Sequence, residues 1–100
     1  MSDSIAFGWI DYDTSRAPEW DRAQIHRLSR HLGYHLVWPD TRSVLRVADQ
    51  ARNAGADLVI LPAPDHLSPL ELNAVMGFAD VETVVPRLSF ARWAFAQVGR

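Results

Sequence analysis

Apolar residues fall into short dense runs separated by longer stretches in which they recur every three or four positions. Ser4 to Ile10 (S-I-A-F-G-W-I) is nearly continuous in apolar side chains and predicts a first strand buried on both faces, as central parallel strands are. The polar loop Asp11-Tyr12-Asp13-Thr14 follows. Pro18 suits the first turn of a helix, where a missing N–H costs little. Ile25, Leu28 and Leu32 mark the inward face of that helix, and Gly33 is placed to cap it. Tyr34 to Trp38 predicts a second strand. Pro39-Asp40-Thr41 turns the chain, with Asp40 or Thr41 as the cap of a second helix. Val44, Leu45, Ala48 and Ala51 form its apolar stripe and Gly55 ends it. Asp57 to Leu61 (D-L-V-I-L) predicts the third strand, and Pro62 to Leu67 a rigid loop. Ser68-Pro69-Leu70-Glu71 has the form of a capping box with proline at the first helical position. The third helix is expected to run to about Asp80, with Leu72, Val75, Met76 and Ala79 facing inward. Val81 to Val85 predicts a fourth strand stopped by Pro86, and Ser89 a cap for a last helix over about 89–98.

Strands alternating with helices imply a parallel sheet covered on both faces. The expected architecture is a three-layer α/β sandwich with a mainly parallel four-stranded sheet. One hundred residues allow a single domain over 1–100. The absence of cysteine excludes disulfides, thiolate zinc sites and a cysteine nucleophile. Every basic side chain is arginine apart from the histidines, so no lysine can serve in catalysis. No apolar run approaches the roughly 20 residues a membrane span needs, and Met1-Ser2-Asp3-Ser4 lacks the basic start of a signal peptide. Cytoplasmic residence without a membrane partner is expected. A net charge of −2 argues against general, electrostatically driven binding to nucleic acid.

Three stretches together resemble the catalytic domain of the serine recombinases (resolvases and invertases), over roughly residues 5–90. They are Phe7-Gly8-Trp9-Ile10-Asp11 at the end of the first strand, Gln24, Leu28 and Gly33-Tyr34 along the first helix, and Asp65-His66-Leu67-Ser68-Pro69 after the third strand. Gly55 to Leu61 supplies the matching frame. The family's first motif reads Tyr-x-Arg-Val-Ser and its third Asp-Arg-Leu-(Gly/Ser)-Arg. The resemblance therefore implies a resolvase-like fold from which the chemistry has been lost. Asp11 stands where the nucleophilic serine belongs, Trp9 where its arginine neighbour belongs, and His66 and Pro69 where two further arginines belong. Arg42 matches another family arginine at the start of the second helix, and Asp65 is retained. Recombination needs a hydroxyl to attack a phosphodiester and clustered guanidiniums to stabilise the developing charge. A carboxylate at position 11 would repel the phosphate. The family's long dimerisation helix and separate DNA-binding domain have no counterpart within these residues, so DNA is not an expected partner.

Other constellations carry their own readings. Asp11, Asp13, Asp40 and Asp65 all follow strands, where open α/β sheets bind ligands. Converging carboxylates of Asp11, Asp13 and Asp65 could hold Mg²⁺, as in a small enzyme or a phosphoryl sensor. Loop carboxylates that cap helices and solvate turns are the favoured reading. Arg16, Arg22, Arg27 and Arg30, with His26 and His31, make the first helix basic on its polar side. That is either an ordinary solvated face, which is favoured, or a docking face for nucleic acid or an acidic partner. Trp9 and Trp38 lie on strands and read as core, whereas Trp20, on the first helix, reads equally as core or as a ligand platform.

Leu88 to Val98 is apolar nearly all round, and a helix of that kind must be buried on more than one side. Phe90, Trp93 and Phe95 are accordingly expected at an interface with a second copy or another protein. The function expected from sequence is a non-catalytic interaction or regulatory protein, without a cofactor, assembling through this C-terminal helix. The alternatives are the Mg-dependent enzyme or sensor just described and an accessory modulator of an intact recombinase.

Overall fold

A computed structural model describes residues 4–93. The two densest apolar runs make the centre of the sheet. Ile5–Gly8 forms β1 and Leu58–Leu61 forms β3, whose residues are all buried. His35–Val37 is β2, Asp80–Thr83 is β4 and Leu88–Phe90 is β5. The sheet order is β2-β1-β3-β4-β5, with β1 to β4 parallel and β5 antiparallel to β4. Pro18–Leu32 forms α1, Val47–Asn53 forms α2 and Pro69–Met76 forms α3.

Two cores follow from the alternation of the strands. On one face α1 packs Ile25, with Leu28 and Leu32 beside it, against Ala6, Ile10, Leu58 and Ile60. On the other, α2 and α3 bring Val47, Ala51, Val75 and Ala79 against Phe7, Val59, Leu61 and Val81. Burying Ile25 alone is worth about 1.5–3 kcal/mol relative to leaving it in water. Gly33 ends α1 in the left-handed region at φ 82°, donating to the Arg30 carbonyl at 3.1 Å. Gly8 allows a different close approach. A Cβ there would lie 2.7 Å from Cζ3 of Trp38, whose ring closes the edge of the α1 core. The capping box forms as expected: the Glu71 N–H donates to Ser68 Oγ and the Ser68 N–H to Glu71 Oε1.

Three expectations are corrected. Among the described residues the sheet has five strands, not four, with β5 the one antiparallel member of a mainly parallel set. The fifth strand occupies the start of the expected C-terminal helix. The edge of β4 offers unpaired backbone groups, and Leu88-Ser89-Phe90 alternates in a way that fits them. Phe90 pairs with Val81 and packs into the α2–α3 core, while Ser89 Oγ donates to Glu82 Oε1 at 2.7 Å on the other face. Residues 94–98 of the expected helix lie outside the described residues. Finally, α2 starts at Val47 rather than near Asp40, leaving Val44 98 % exposed instead of on the inward stripe. Short polar side chains capture the backbone of this stretch locally. Asp40 Oδ1 accepts the Arg42 N–H at 2.9 Å and Ser43 Oγ accepts the Leu45 N–H at 3.2 Å.

The amino end of the sheet is fastened by Arg92. Its guanidinium donates to Asp80 Oδ1 at 3.1 Å, to the Phe78 carbonyl at 3.0 Å and to the Asp57 carbonyl at 2.9 Å. Its backbone N–H donates to the same Asp80 oxygen at 2.8 Å, and the Trp93 N–H to the Met76 carbonyl at 2.9 Å. The chain after β5 is thereby tied back to the end of α3 and the start of β4.

Candidate functional site at the sheet's switch point

The chain leaves β1 toward β2 on one side and returns to β3 on the other. The loops after β1 and β3 therefore diverge, and a crevice opens between them at the carboxyl ends of the strands. Two of the motif stretches meet here. The Asp11 N–H donates to Nδ1 of His66 at 2.9 Å, joining the β1 loop to the 3-10 turn Pro64–His66 after β3. An accepting Nδ1 places the proton of the neutral ring on Nε2. His66 is only 5 % exposed, and among the described residues no fully buried side-chain nitrogen or oxygen lacks a partner. Its outer edge lines a cleft of about 300 Å³ together with Thr14, Arg16, Trp20, Asp65 and Val85.

The Asp11 carboxylate is occupied by its own loop. Oδ1 accepts the Asp13 N–H and Oδ2 accepts Thr14 Oγ1, both at 3.0 Å, while its carbonyl accepts the N–H groups of Thr14 and Ser15 at 2.9 Å. This is the turn chemistry short acids favour, and it leaves Asp11 as a fastener of the loop. Asp13 and Asp65 are exposed, and among the described residues no three histidine or acidic side chains gather as a metal-holding group.

The remaining motif positions disperse. Trp9 donates its backbone N–H to the Ile60 carbonyl at 3.0 Å, and its ring stacks on Phe7 with centroids 6.5 Å apart, on the α2–α3 face. Gln24 faces Val84 and Arg87 on the other side of the sheet. Arg42 lies in solvent and, among the described residues, pairs only with Asp40 at 3.4 Å. Pro69 opens α3 as its first residue. Of the expected interface residues, Phe90 is taken into the domain's own core, Trp93 is half-exposed at the amino end, and Phe95 lies outside the described residues.

Sequence reasoning missed one member of the cleft, Ser15, and leaves Trp20 open between core and ligand platform. Ser15 Oγ donates to Asp21 Oδ2 at 2.6 Å, fixing the entrance to α1, and Trp20 stands half-exposed in the first turn. The spacing of Ser15 and Asp21 across Pro18 was the available signal, since a serine just ahead of a helix commonly finds a partner in its first turn. The arrangement offers a hydrogen-bond donor at Nε2, a cation at Arg16 and an aromatic face at Trp20. Among the described residues lining the cleft, the hydroxyls of Thr14 and Ser15 are each bonded to a carboxylate.

A wider pattern surrounds the cleft. Seven of the eight large hydrophobic side chains exposed among the described residues lie at this end of the sheet. Tyr12 is in the β1–α1 loop, Trp20 in the first turn of α1, Val44 and Leu45 in the β2–α2 loop, and Leu70 in the first turn of α3. Val85 follows β4 and Leu88 begins β5, opposite Thr83. Among the described residues no helix is long and apolar enough to cross a membrane. No known protein family, no characterised protein and no solved structure matches the chain.

Proposed function

We propose that this chain is a non-catalytic interaction domain on a serine recombinase-like frame, and that it self-associates through the carboxyl end of its sheet. The observation that carries the reading is the gathering of exposed apolar side chains at that end, where Val44 is 98 % and Leu70 82 % exposed. Large exposed apolar areas are uncommon on monomers and mark contact surfaces. A second copy presenting the same surface about a two-fold axis would cover both at once. The non-catalytic part of the reading is supported by the Asp11 carboxylate, spent on its own turn, and by Arg42, which stays in solvent beside Asp40. Neither is arranged to receive a phosphodiester. The surface replaces the C-terminal helix as the place of assembly, because Leu88–Phe90 is a strand of the domain itself.

Light scattering coupled to size exclusion, over a range of protein concentrations, tests this. A dimer mass is expected, and Leu70→Asp or Val44→Asp should weaken the dimer about 30-fold, as loss of a contact worth about 2 kcal/mol does. A monomer at every concentration would sink self-association.

A further inference from the structure

A second surface, remote in character from the apolar end, runs along α1 beside the open edge of β2. Two hollows of about 510 and 520 Å³ adjoin there, sharing His26, Arg30 and Trp38. Arg22, Arg27 and Arg30 line them against a single acid, Glu19. Arg27 and Arg30 have no ion-pair partner among the described residues. The floor is apolar and aromatic. Trp38 is seated on Gly8, and the Arg22 guanidinium lies 4.1 Å from its ring centroid, with Leu36 alongside. Among the described residues β2 is the last strand on this side of the sheet. The His35 N–H points inward to the Ser4 carbonyl at 2.9 Å, so the N–H and carbonyl of Leu36 point outward, to no strand.

The spacing of the side-chain hydrogen-bond donors along α1 selects an occupant. Arg22, His26 and Arg30 follow one another by four positions on α1, about 6 Å per step along the helix axis. Side chains on one face of an extended chain repeat about every 6.7 Å. We propose that this groove binds an extended acidic peptide, which adds as a strand to β2 and directs alternate carboxylates to Arg22, His26 and Arg30. Main-chain bonds to Leu36 would supply affinity and the arginine row specificity, as in other strand additions. The chain's overall charge of −2 favours a short acidic peptide over a nucleic acid, whose many phosphates the rest of the surface would repel. The proposal does not depend on self-association at the carboxyl end.

The test uses a fluorescein-labelled eight-residue peptide of alternating glutamate and valine, followed by anisotropy. Saturable binding is expected, weakened about tenfold by Arg30→Glu as a contacting charge is reversed, with circular dichroism showing that the variant keeps its helix content. A lysine–valine peptide should not bind. In amide exchange, the Leu36 N–H should become protected when the glutamate peptide is added. Failure to saturate, indifference to Arg30→Glu, or an unprotected Leu36 amide would each overturn the proposal. Tighter binding of a ten-nucleotide oligothymidylate than of the peptide would also overturn it, in favour of a nucleic-acid surface. Leu70→Asp should leave peptide binding unchanged, which separates this surface from the one proposed for self-association.

Discussion

The two ends of the sheet are closed by opposite means. At the amino end a surface arginine, Arg92, reaches two carbonyls and a carboxylate, and the chain around it is bonded back to α3. At the carboxyl end a buried imidazole accepting one N–H joins the β1 and β3 loops, most other side-chain bonds there close single loops on themselves, and around them apolar side chains are left in water. The amino end spends polar groups on holding the domain together. The carboxyl end spends most of its polar side chains inside single loops and leaves apolar side chains exposed. In open α/β sheets such a division is expected, because loops at the carboxyl ends vary while the frame beneath them does not.

Removing the imidazole should have the largest effect. His66→Ala strands the Asp11 N–H and opens a void, costing about 2–3 kcal/mol in urea unfolding. A loss of less than about 0.5 kcal/mol, the level of an ordinary surface change, would mean that the loop holds without it. Arg92→Ala should cost less, about 1–2 kcal/mol, because its bonds are partly exposed to water. Here the two ends should separate cleanly. In 1 M salt the Arg92→Ala loss should shrink, since about 3 Å of screening length weakens the charge pair, while the His66→Ala loss should not. Equal salt responses would erase the contrast.

The smallest effect concerns acid. Burial works against the Asp80 carboxylate, but the hydrogen bonds from the Arg92 side chain and backbone N–H, with the Arg92 charge, outweigh it. The pKa of Asp80 is thus held below the ordinary carboxylate value. A depressed folded pKa contributes stability in full above the unfolded value of about 3.9 and loses it as pH falls through the folded one. The stability gap between the wild type and Arg92→Ala should therefore stay level from neutral pH to about 5 and narrow below about 4. A gap that persists unchanged in stronger acid would show that the carboxylate contributes nothing.

Elements with strong local signals were legible in the chain. Pro18 and Gly33 bound α1, Ser68 and Glu71 cap α3, and the unbroken run Leu58 to Leu61 is β3. The errors share a cause. Val44 and Leu45 have helical spacing with Ala48, yet side-chain bonds from Asp40 and Ser43 hold that stretch as turns, and such competition leaves no trace in periodicity. Leu88 to Phe90 is apolar enough for a helix, but the vacant edge of β4, a property of the fold and not of the segment, makes it a strand. At the site, both Asp11 and His66 could be singled out as motif positions. Their bond could not, because it depends on the sheet bringing together residues 55 apart.

That separation also shapes how the molecule is made. β1 is synthesised well before its partner β3, which begins at Leu58, and the Asp57 N–H that donates to the Ile5 carbonyl emerges at the same later moment. Until then a growing chain carries Ala6 and Phe7 with one of their two neighbouring strands missing. Long-range parallel pairing of this kind is slow and leaves apolar surface open to wrong partners while it waits. The chain through Leu61 must therefore leave the ribosome before the central seam can close, and a nascent chain paused earlier would be a natural client for a chaperone.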